Sequence, residues 1–380
     1  MVQRDYWIER IRRAWERRSV VWLHGVRRVG KTTLCKSLPG VDYFDCDLPS
    51  VRERLRDPET FWGDLRGRSV VLDEVHQAFD PALVLKIAAD HFPETKVIAT
   101  GSSTLAATAR FSDSLTGRKA DLLLTPMMSE DVGAFRGSLE QRLWRGGLPP
   151  FYLGEPADND ADMNEWMSAY WARDIQELFR IQQRTAFVRF VELVLARSGG
   201  LFEATTFAAA CEVSRTTIAN YLDVLQITGV ATVVRPYSMR RTSEIVTAPK
   251  VYGFDTGFVR WASGWRDPRP EDYGVLWEHY VINEIQARFP DLELRYWRRK
   301  KGPELDLVLL RRGLPPVAVE CKWRSANAGN LAGLRAFRGA YPDGPDLAVC
   351  ADLAGTQSKR MGDRVVTFTG IEGLVETLSE

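Results

Sequence analysis

The chain has 380 residues, 45% of them hydrophobic and 27% charged, which is typical of a soluble globular protein of about two to four domains. Its net charge of +1 excludes a strongly basic or acidic protein, although basic residues cluster in "ERIRRAWERR" and "RYWRRKK". No apolar run approaches the ~20 residues of a membrane helix, no apolar signal segment is seen, and five scattered cysteines lack a CxxC pair, so a cytoplasmic protein without membrane contact, zinc or disulfides is expected.

Strands and helices alternate over residues 1–128. Strands are predicted for "SVVWLHG", "VDYFDCD", "RSVVLDE", "KVIATGSS" and "ADLLLTP", and helices for "KTTLCKSL" and "PALVLKIAADHF". Such alternation predicts a parallel sheet with helices on both faces.

Three further regions follow, which makes the predicted fold class α/β and multidomain. Residues 129–200 predict a helical lid or linker from "SEDVGAFRGSLEQRLW", "MNEWMSAYWARDIQELF" and "RTAFVRFVELVLARSG", interrupted by a loop, "RGGLPPFYLGEPADND". Residues 201–258 predict a winged helix-turn-helix. Residues 259–380 predict an α/β domain in the order helix-strand-strand-strand-helix-strand, closed by a short strand and a helix.

A phosphate-binding loop is predicted between the first strand and the first of these helices. "GVRRVGKTT" fits G-x-x-x-x-G-K-[ST] in the context that this motif requires. Its backbone N–H groups would surround phosphates, Lys31 would neutralise the β- and γ-phosphates, and the Thr32 hydroxyl would ligate Mg²⁺. Residues 1–128 are therefore expected to be a P-loop ATPase core. The residues expected to bind ATP are Gly25, Val26, Arg27, Arg28, Val29, Gly30, Lys31, Thr32 and Thr33.

Acidic and hydroxyl side chains end two other strands of this region. Asp73 is expected to hold Mg²⁺ through water, and Glu74 to polarise the attacking water. The strand "KVIATGSS" is expected to lie between the other two, so that Ser102, or failing it Ser103, contacts the γ-phosphate; the alternative is an N-cap serine. Arg118 is a candidate arginine finger, acting in its own subunit or in a neighbouring subunit of a homo-oligomer.

The stretch "TTFAAACEVSRTTIANYLDVLQITGV" has the pattern of a helix-turn-helix. Ser214 would cap the second helix, whose N-terminal residues Arg215, Thr216, Thr217 and Asn220 would be exposed while Ile218, Leu222 and Leu225 face inward. A wing is predicted next, with Arg235, Arg240 and Arg241. DNA is the expected partner, but this fold also serves as an adaptor between domains.

Two acidic residues are predicted to oppose each other in a hairpin of the C-terminal region. Asp306 and Glu320 are equally distant from Gly313 in the turn, and Lys322 shares the face of Glu320. Two opposed carboxylates repel, so Mg²⁺ or Mn²⁺ is expected between Asp306 and Glu320. The preceding helix offers a further acid, Glu278 or Glu284, of which Glu278 is preferred.

The hairpin follows "RYWRRKK", whose five basic residues and two aromatic residues suit a phosphate backbone. The same D…ExK arrangement could instead be a charged hairpin edge facing solvent, since its residues are abundant.

These motifs together resemble a prokaryotic family of AAA-type ATPases whose C-terminal domain is similar to the PD-(D/E)XK nucleases. The similar segments include "VVLDEVHQ", "LTGRKADLLLTPMMSE", "YWARDIQELF", "PKVYGFDTGF", "LWEHYVINEI" and "VECKW". The resemblance implies ATP hydrolysis with Mg²⁺ through Lys31, Thr32, Asp73 and Glu74. It also implies a restriction-endonuclease-like α/β fold for residues 259–380, with a nuclease-like site of Glu278, Asp306, Glu320 and Lys322.

The expected function is therefore that of an ATP-hydrolysing, DNA-associated protein with a metal-dependent nuclease site that ATP controls. One alternative is a nucleotide-dependent switch that binds DNA or a protein without cleaving nucleic acid. Another is an ATPase adaptor that acts on protein. Neither the protein partner nor the preferred DNA structure follows from the sequence.

Overall fold

The computed structural model describes residues 2–101, 109–154, 159–179, 181, 183–238, 248–299, 302–326 and 331–380. By the density of contacts the chain falls into two units. Unit 1 comprises Met1–Leu139, Gly147–Arg184 and Asp223–Val230, and unit 2 comprises Glu140–Gly146, Thr185–Leu222 and Ala231–Glu380. The four predicted domain limits are finer than this division and stay a prediction.

Unit 1 is built on a five-stranded parallel sheet in the order β2-β3-β4-β1-β5. Its strands are β1 (Val20–His24), β2 (Val41–Asp45), β3 (Ser69–Asp73), β4 (Lys96–Thr100) and β5 (Lys119–Leu123). The three central strands are almost wholly buried, as their continuous apolar runs require. Strand β4 lies between β1 and β3, as predicted.

The helices up to residue 179 belong to unit 1, except the helix Leu139–Arg145, which belongs to unit 2 from Glu140 onward. They are α1 (Asp5–Arg17), α2 (Lys31–Ser37), α3 (Pro49–Arg54), α4 (Pro58–Asp64), α5 (Pro81–His91), α6 (Ala109–Leu115), α7 (Ser129–Ala134), α8 (Leu139–Arg145), α9 (Pro149–Leu153), α10 (Asn159–Ala169) and α11 (Gln176–Phe179). Helix α5 begins at Pro81, and the Asp80 side chain accepts a hydrogen bond from the Leu83 N–H at 3.1 Å.

Several of these helices differ from the sequence expectation. The basic segment at the N-terminus is an amphipathic helix that buries Trp7, Ile8 and Ile11. The expected helix "SEDVGAFRGSLEQRLW" is two helices, because Arg136 between them adopts a left-handed φ of 55°. The expected loop contains α9, which begins at two prolines. Between α10 and α11, Tyr170–Ile175 forms a π-helix.

Unit 2 contains a nine-stranded sheet in the order β13-β14-β12-β11-β10-β9-β7-β8-β6. Its strands are β6 (Gly200–Leu201), β7 (Ala231–Pro236), β8 (Lys250–Gly253), β9 (Glu293–Arg298), β10 (Glu304–Leu310), β11 (Val317–Lys322), β12 (Asp346–Cys350), β13 (Gln357–Met361) and β14 (Arg364–Thr369). The expected single closing strand is thus the hairpin β13–β14. The expected wing strand β7 pairs with β8 and also runs parallel to β9.

The remaining helices are α12 (Arg184–Ala196), α13 (Ala204–Cys211), α14 (Arg215–Ile227), α15 (Thr256–Ala262), α16 (Pro270–Arg288), α17 (Ala332–Arg338) and α18 (Ile371–Ser379). Helix α16 places the indole N–H of Trp277 2.9 Å from the carbonyl oxygen of Val349 in β12. Helix α17 packs against β10 and β11 through Leu334 and Phe337. Among the described helices, none has both the length and the apolar character to cross a membrane.

A buried ion-pair network joins the N-terminal ends of β11, β12 and β14 in unit 2. Arg338 pairs with Asp346, and both side chains are 1% exposed. The Arg338 guanidinium also donates to the carbonyl oxygen of Pro316 at 3.0 Å, and Arg364 donates to Asp346 at 2.6 Å. Removing one charge of such a pair leaves its partner buried without compensation.

The variant Asp346→Asn is expected to lower the free energy of unfolding of unit 2 by about 3–5 kcal/mol, because Arg338 stays buried without its counter-charge. Urea denaturation followed by circular dichroism measures this change. Asp363→Asn, at an exposed turn, is the matched control and should stay within about 0.5 kcal/mol of the unaltered protein. Equal stability of the two variants would contradict the role of the network.

Candidate functional sites

The loop between β1 and α2 has the backbone conformation of a phosphate-binding loop. Gly25 and Gly30 adopt φ of 148° and 102°, which disfavour other residues. A Cβ atom on Gly25 would lie 2.3 Å from the carbonyl oxygen of Leu124. Both glycines of the motif are therefore required by the fold around the loop.

Lys31 turns back toward this loop. Its Nζ donates to the carbonyl oxygens of Gly25 at 2.8 Å and Val26 at 3.3 Å. Burial lowers the pKa of Lys31, against the opposing effect of Glu74. A phosphate at this position would supply the negative charge that the buried ammonium lacks.

Asp73 and Glu74 lie at the carboxyl end of β3. Asp73 is buried and accepts hydrogen bonds from the hydroxyls of Tyr43 at 2.5 Å and of Thr100. Glu74 has a left-handed φ of 54°, and its carboxylate lies 3.2 Å from Nδ1 of His76. Burial raises the pKa of Glu74, but the contact with His76 and the charge of Lys31 outweigh it and hold the pKa below its usual value. Glu74 is thus kept ionised.

A cavity of about 870 Å³ opens above the loop, within the size range of ligand pockets. The predicted residues that line it are Gly25, Val26, Arg27, Arg28, Gly30, Lys31, Thr32, Thr33 and Glu74. Val29 is buried instead, and its carbonyl oxygen accepts from Arg4 at 3.1 Å. Ser102 and Ser103 lie outside the described residues, although Gly101 before them lines the cavity.

The cavity also has lining residues that the sequence did not predict. The π-helix contributes Tyr170, Arg173 and Asp174, and Asp174 pairs with Arg27 at 3.1 Å. Segments of π-helix often occur at functional sites. The sequence feature that could have predicted these lining residues is the segment "YWARDIQELF", which contains all three of them.

Arg118 does not line the nucleotide cavity. Its Nε donates to Asp90 at 2.7 Å, and both residues line a separate surface groove. If Arg118 is an arginine finger, it would therefore act on the nucleotide cavity of a neighbouring subunit.

In unit 2, the hairpin β10–β11 has the predicted register. Leu307 pairs with Val319 and Val308 with Ala318, and extending this register by one pair sets Asp306 opposite Glu320. The Asp306 side chain accepts a hydrogen bond from the Cys321 N–H at 2.8 Å. Burial and the carboxylates of Glu278 and Glu320 raise the pKa of Asp306 well above its usual value.

Glu320 is 7% exposed, and its two oxygens differ. Oε1 accepts from Lys322 Nζ at 2.8 Å, whereas Oε2 is buried and has no hydrogen-bond partner among the described residues. Burial raises the pKa of Glu320 against the opposing effect of Lys322. A buried oxygen without a partner is a feature that a bound cation would satisfy.

The helix acid beside this pair is Glu278. It accepts from the Tyr252 hydroxyl at 2.5 Å and lies 3.5 Å from Lys250 Nζ. Lys250, which the sequence analysis missed, is buried and also pairs with Glu304 at 2.5 Å. The sequence feature that could have predicted Lys250 is the segment "PKVYGFDTGF", which contains it. Glu284 instead forms a buried ion pair with Arg288 at 2.8 Å.

A second cavity, of about 720 Å³, is lined by Glu278, Asp306 and Lys322. In the described part of the chain, no three His, Cys, Asp or Glu side chains form a group that could hold a metal ion by themselves. Glu320 is buried and does not line this cavity, so Asp306 is the only one of the two predicted ligands among its lining residues. A divalent cation held by Asp306 and Glu320 would need backbone or water oxygens as further ligands. The partnerless Oε2 of Glu320 fits such a cation.

The helix-turn-helix residues lie largely as predicted. Ser214 Oγ accepts from the Thr217 N–H at 3.1 Å at the start of α14. The side chains predicted to face inward are buried: Ile218, Leu222 and Leu225. Arg215, Thr216, Asn220 and Arg235 are exposed and Thr217 is half-buried, whereas Arg240 and Arg241 lie outside the described residues.

The interpretation of "RYWRRKK" as a phosphate-binding segment is wrong for its aromatic residues. Tyr296 and Trp297 are 0% and 7% exposed because β9 is an inner strand of the sheet. Arg295 pairs with Glu293. Arg298 and Arg299 keep some exposure, and Lys300 and Lys301 lie outside the described residues.

Comparison with known proteins agrees with the nucleotide site. An AAA domain matches residues 17–132, and two domains of unknown function, DUF8612 and DUF4143, match residues 136–269 and 273–369. The loop, the acidic strand end and the parallel sheet are those of a P-loop ATPase of the AAA type.

The uncharacterized protein Rv2008c of Mycobacterium tuberculosis is 31% identical over 327 residues, which cover 83% of this chain and 73% of that protein. The uncharacterized protein Mb2031c of Mycobacterium bovis gives the same values. The chain therefore belongs to the family of these mycobacterial proteins.

Two solved structures are similar at low identity. A Walker-type ATPase of Pyrococcus abyssi is 14% identical, with 69% of this chain and 96% of that chain covered and a TM-score of 0.44. AMPPCP-bound DnaA of Aquifex aeolicus is 13% identical, with 57% and 86% covered and a TM-score of 0.29. At these TM-scores neither likeness carries an argument about this chain.

The variant Glu74→Gln is expected to keep nucleotide affinity and to lower kcat for ATP hydrolysis by about 10²–10⁴-fold, since the amide cannot accept a proton. Phosphate release and nucleotide titration measure the two effects. Glu59→Gln, on the exposed side of α4, is the control and should retain activity. Undiminished turnover by Glu74→Gln would exclude Glu74 as the base.

The variant Asp306→Asn is expected to stabilise unit 2 at pH 8 but not at pH 4. A carboxyl whose folded pKa is raised contributes most stability at low pH, and that stability is lost as the pH rises from the unfolded pKa to the folded pKa. Between the two pKa values, each pH unit lowers the free energy of unfolding of the unaltered protein by about 1.4 kcal/mol. The neutral amide of the variant does not ionise and avoids this loss. Urea unfolding at both pH values measures the difference, and stabilisation of equal size at both would contradict it.

Proposed function

We propose that this AAA-type ATPase acts on DNA and that its unit 2 cavity is a divalent-metal-dependent nucleolytic site. One observation carries the proposal: three carboxylates and a lysine converge at one end of the unit 2 sheet, with one carboxylate oxygen buried and without a described partner. Burying like charges is costly, so such a cluster is more typical of a functional site than of a stabilising contact.

ATP hydrolysis is assigned to the unit 1 cavity. Lys31 balances the charge of the β- and γ-phosphates, and Glu74 accepts a proton from the attacking water. Thr32 and Asp73 would hold Mg²⁺, which orients the phosphates and neutralises their charge. The hydroxyls of Tyr43 and Thr100 keep the Asp73 carboxylate in one orientation.

In unit 2, Asp306 and Glu320 would hold Mg²⁺, or Mn²⁺ in its place. When bound, the cation lowers the pKa of a water molecule and stabilises charge on a phosphate oxygen. Lys322 holds Oε1 of Glu320 and directs positive charge toward the cavity. Glu278 is held by Tyr252 and Lys250, which leaves it able to orient a water molecule through its second oxygen.

A second candidate function is a nucleotide-dependent switch that binds DNA or a protein without cleavage. Lys250 favours it, because its ammonium already neutralises Glu278 and Glu304 without a metal ion. In that case the exposed N-terminal residues of α14 and Arg235 would provide the binding surface.

The test is incubation of the protein with linear and single-stranded DNA, Mg²⁺ or Mn²⁺, with and without ATP. We expect cleavage that Lys322→Ala lowers at least about 100-fold, because the developing phosphate charge loses its cation. Lys359→Ala, at an exposed position of β13, is the matched control and should cleave normally.

Lys31→Ala separates ATP control from cleavage, since it alters only the unit 1 site. Cleavage by Lys322→Ala at the rate of the unaltered protein would exclude the proposed site. DNA binding without cleavage under either metal would favour the switch.

A further inference from the structure

One wall of the unit 2 cavity is aromatic. The rings of Tyr273, on α16, and Trp323, directly after β11, are stacked with centroids 4.7 Å apart and an interplanar angle of 13°. The guanidinium of Arg324 lies 4.9 Å from the centroid of the Trp323 ring. These three side chains line the same cavity as Asp306 and Lys322.

Packing of the core accounts for only part of this wall, through the edge contact of the Trp323 ring with the Trp277 ring at a centroid distance of 6.5 Å. The neighbouring Trp277 is 2% exposed and uses its indole N–H in the fold, as a structural tryptophan does. Tyr273 and Trp323 are half-buried, and neither donates a hydrogen bond to another described residue. Arg324 is exposed and has no carboxylate partner in the described part of the chain. The wall presents flat rings and a cation to the cavity.

We propose that this wall is a stacking platform for an unpaired base, so that the unit 2 site takes a single-stranded segment of nucleic acid. The inference rests on the proposed action of the same site on DNA and specifies its substrate class. A base within a duplex has both faces covered by its neighbours, whereas an unpaired base can stack on aromatic and guanidinium planes. The phosphate next to the stacked base then lies within reach of Lys322 and the carboxylates.

Because the cavity lining is mainly acidic, affinity for nucleic acid there depends on stacking on the aromatic wall. Glu140 and Glu271 also line the cavity, so carboxylates outnumber the two cations Lys322 and Arg324 there. A phosphate alone is repelled by such a site, and affinity must come from stacking together with a divalent cation that offsets the carboxylates. The volume of about 720 Å³ accommodates one nucleotide rather than a duplex.

The experiment measures fluorescence anisotropy of a labelled oligothymidylate and of a blunt duplex of equal length, in Ca²⁺ and without ATP. Because Ca²⁺ uses the same oxygen ligands, binding is measured without relying on cleavage. We expect the single strand to bind at least about 10-fold more tightly, and Trp323→Leu to raise its Kd roughly 5–100-fold. Trp323→Phe should keep most of the affinity, which distinguishes lost stacking from lost folding.

Tyr273→Leu provides an independent variant on a different element, and Phe79→Leu, 88% exposed in unit 1, is the aromatic control. Normal single-strand affinity in both Trp323→Leu and Tyr273→Leu overturns the proposal, as does equal affinity for the duplex. Thymidine monophosphate that competes at the concentration of the oligonucleotide also overturns it, because the site would then take free nucleotides. Absence of cleavage with Mg²⁺ would defeat the proposed nuclease and leave this binding result intact.

Discussion

The parallel direction of β1, β3 and β4 is the constraint on which the ATPase site depends. Because parallel strands end at the same edge of a sheet, the phosphate-binding loop, the acids at the end of β3 and Gly101 after β4 meet there although they are far apart in the sequence. The hydroxyl of Thr100 on β4 then orients Asp73 on β3. A different strand order would separate these groups even if every motif were kept.

The unit 2 site depends on a different constraint, the electrostatic cost of burying several carboxylates close together. Antiparallel pairing forces Asp306 toward Glu320, and α16 adds Glu278. The fold compensates only in part, through Lys322 and Lys250. Gly333 permits close packing here, since a Cβ atom there would clash with the carbonyl oxygen of Glu304 and lie 3.1 Å from Oε2 of Glu320. Helix α17 can therefore pack close to β10 and to this carboxylate.

The sequence predicted those features that depend on local pattern. The five strands of unit 1, the register of β10 with β11 and the inward face of α14 all follow from apolar periodicity and from the position of one turn. The choice of Glu278 over Glu284 needed the structure, because each residue could face inward if the helix started differently. The ion pair of Glu284 with Arg288 is what separates the two.

Other features depend on long-range contacts and leave little local signal. The π-helix at Tyr170–Ile175 reads as ordinary helix in the sequence, yet it aims Arg173 and Asp174 at the nucleotide cavity. Lys250 is far in sequence from the carboxylates that it neutralises. The burial of Tyr296 and Trp297 follows from the neighbours of β9 on both sides, which the composition of the segment does not reveal.

The parallel pairing of β7 with β9 has a consequence for dissecting the molecule. Through it, the strands β7 and β8, which follow α14, belong to one hydrogen-bonded sheet with the strands that carry the carboxylates. A fragment beginning at residue 259 would lack β7, so β9 would become an edge strand with unpaired backbone groups, which favours self-association. A fragment that begins at or before Glu140 keeps this sheet whole and contains every segment of unit 2.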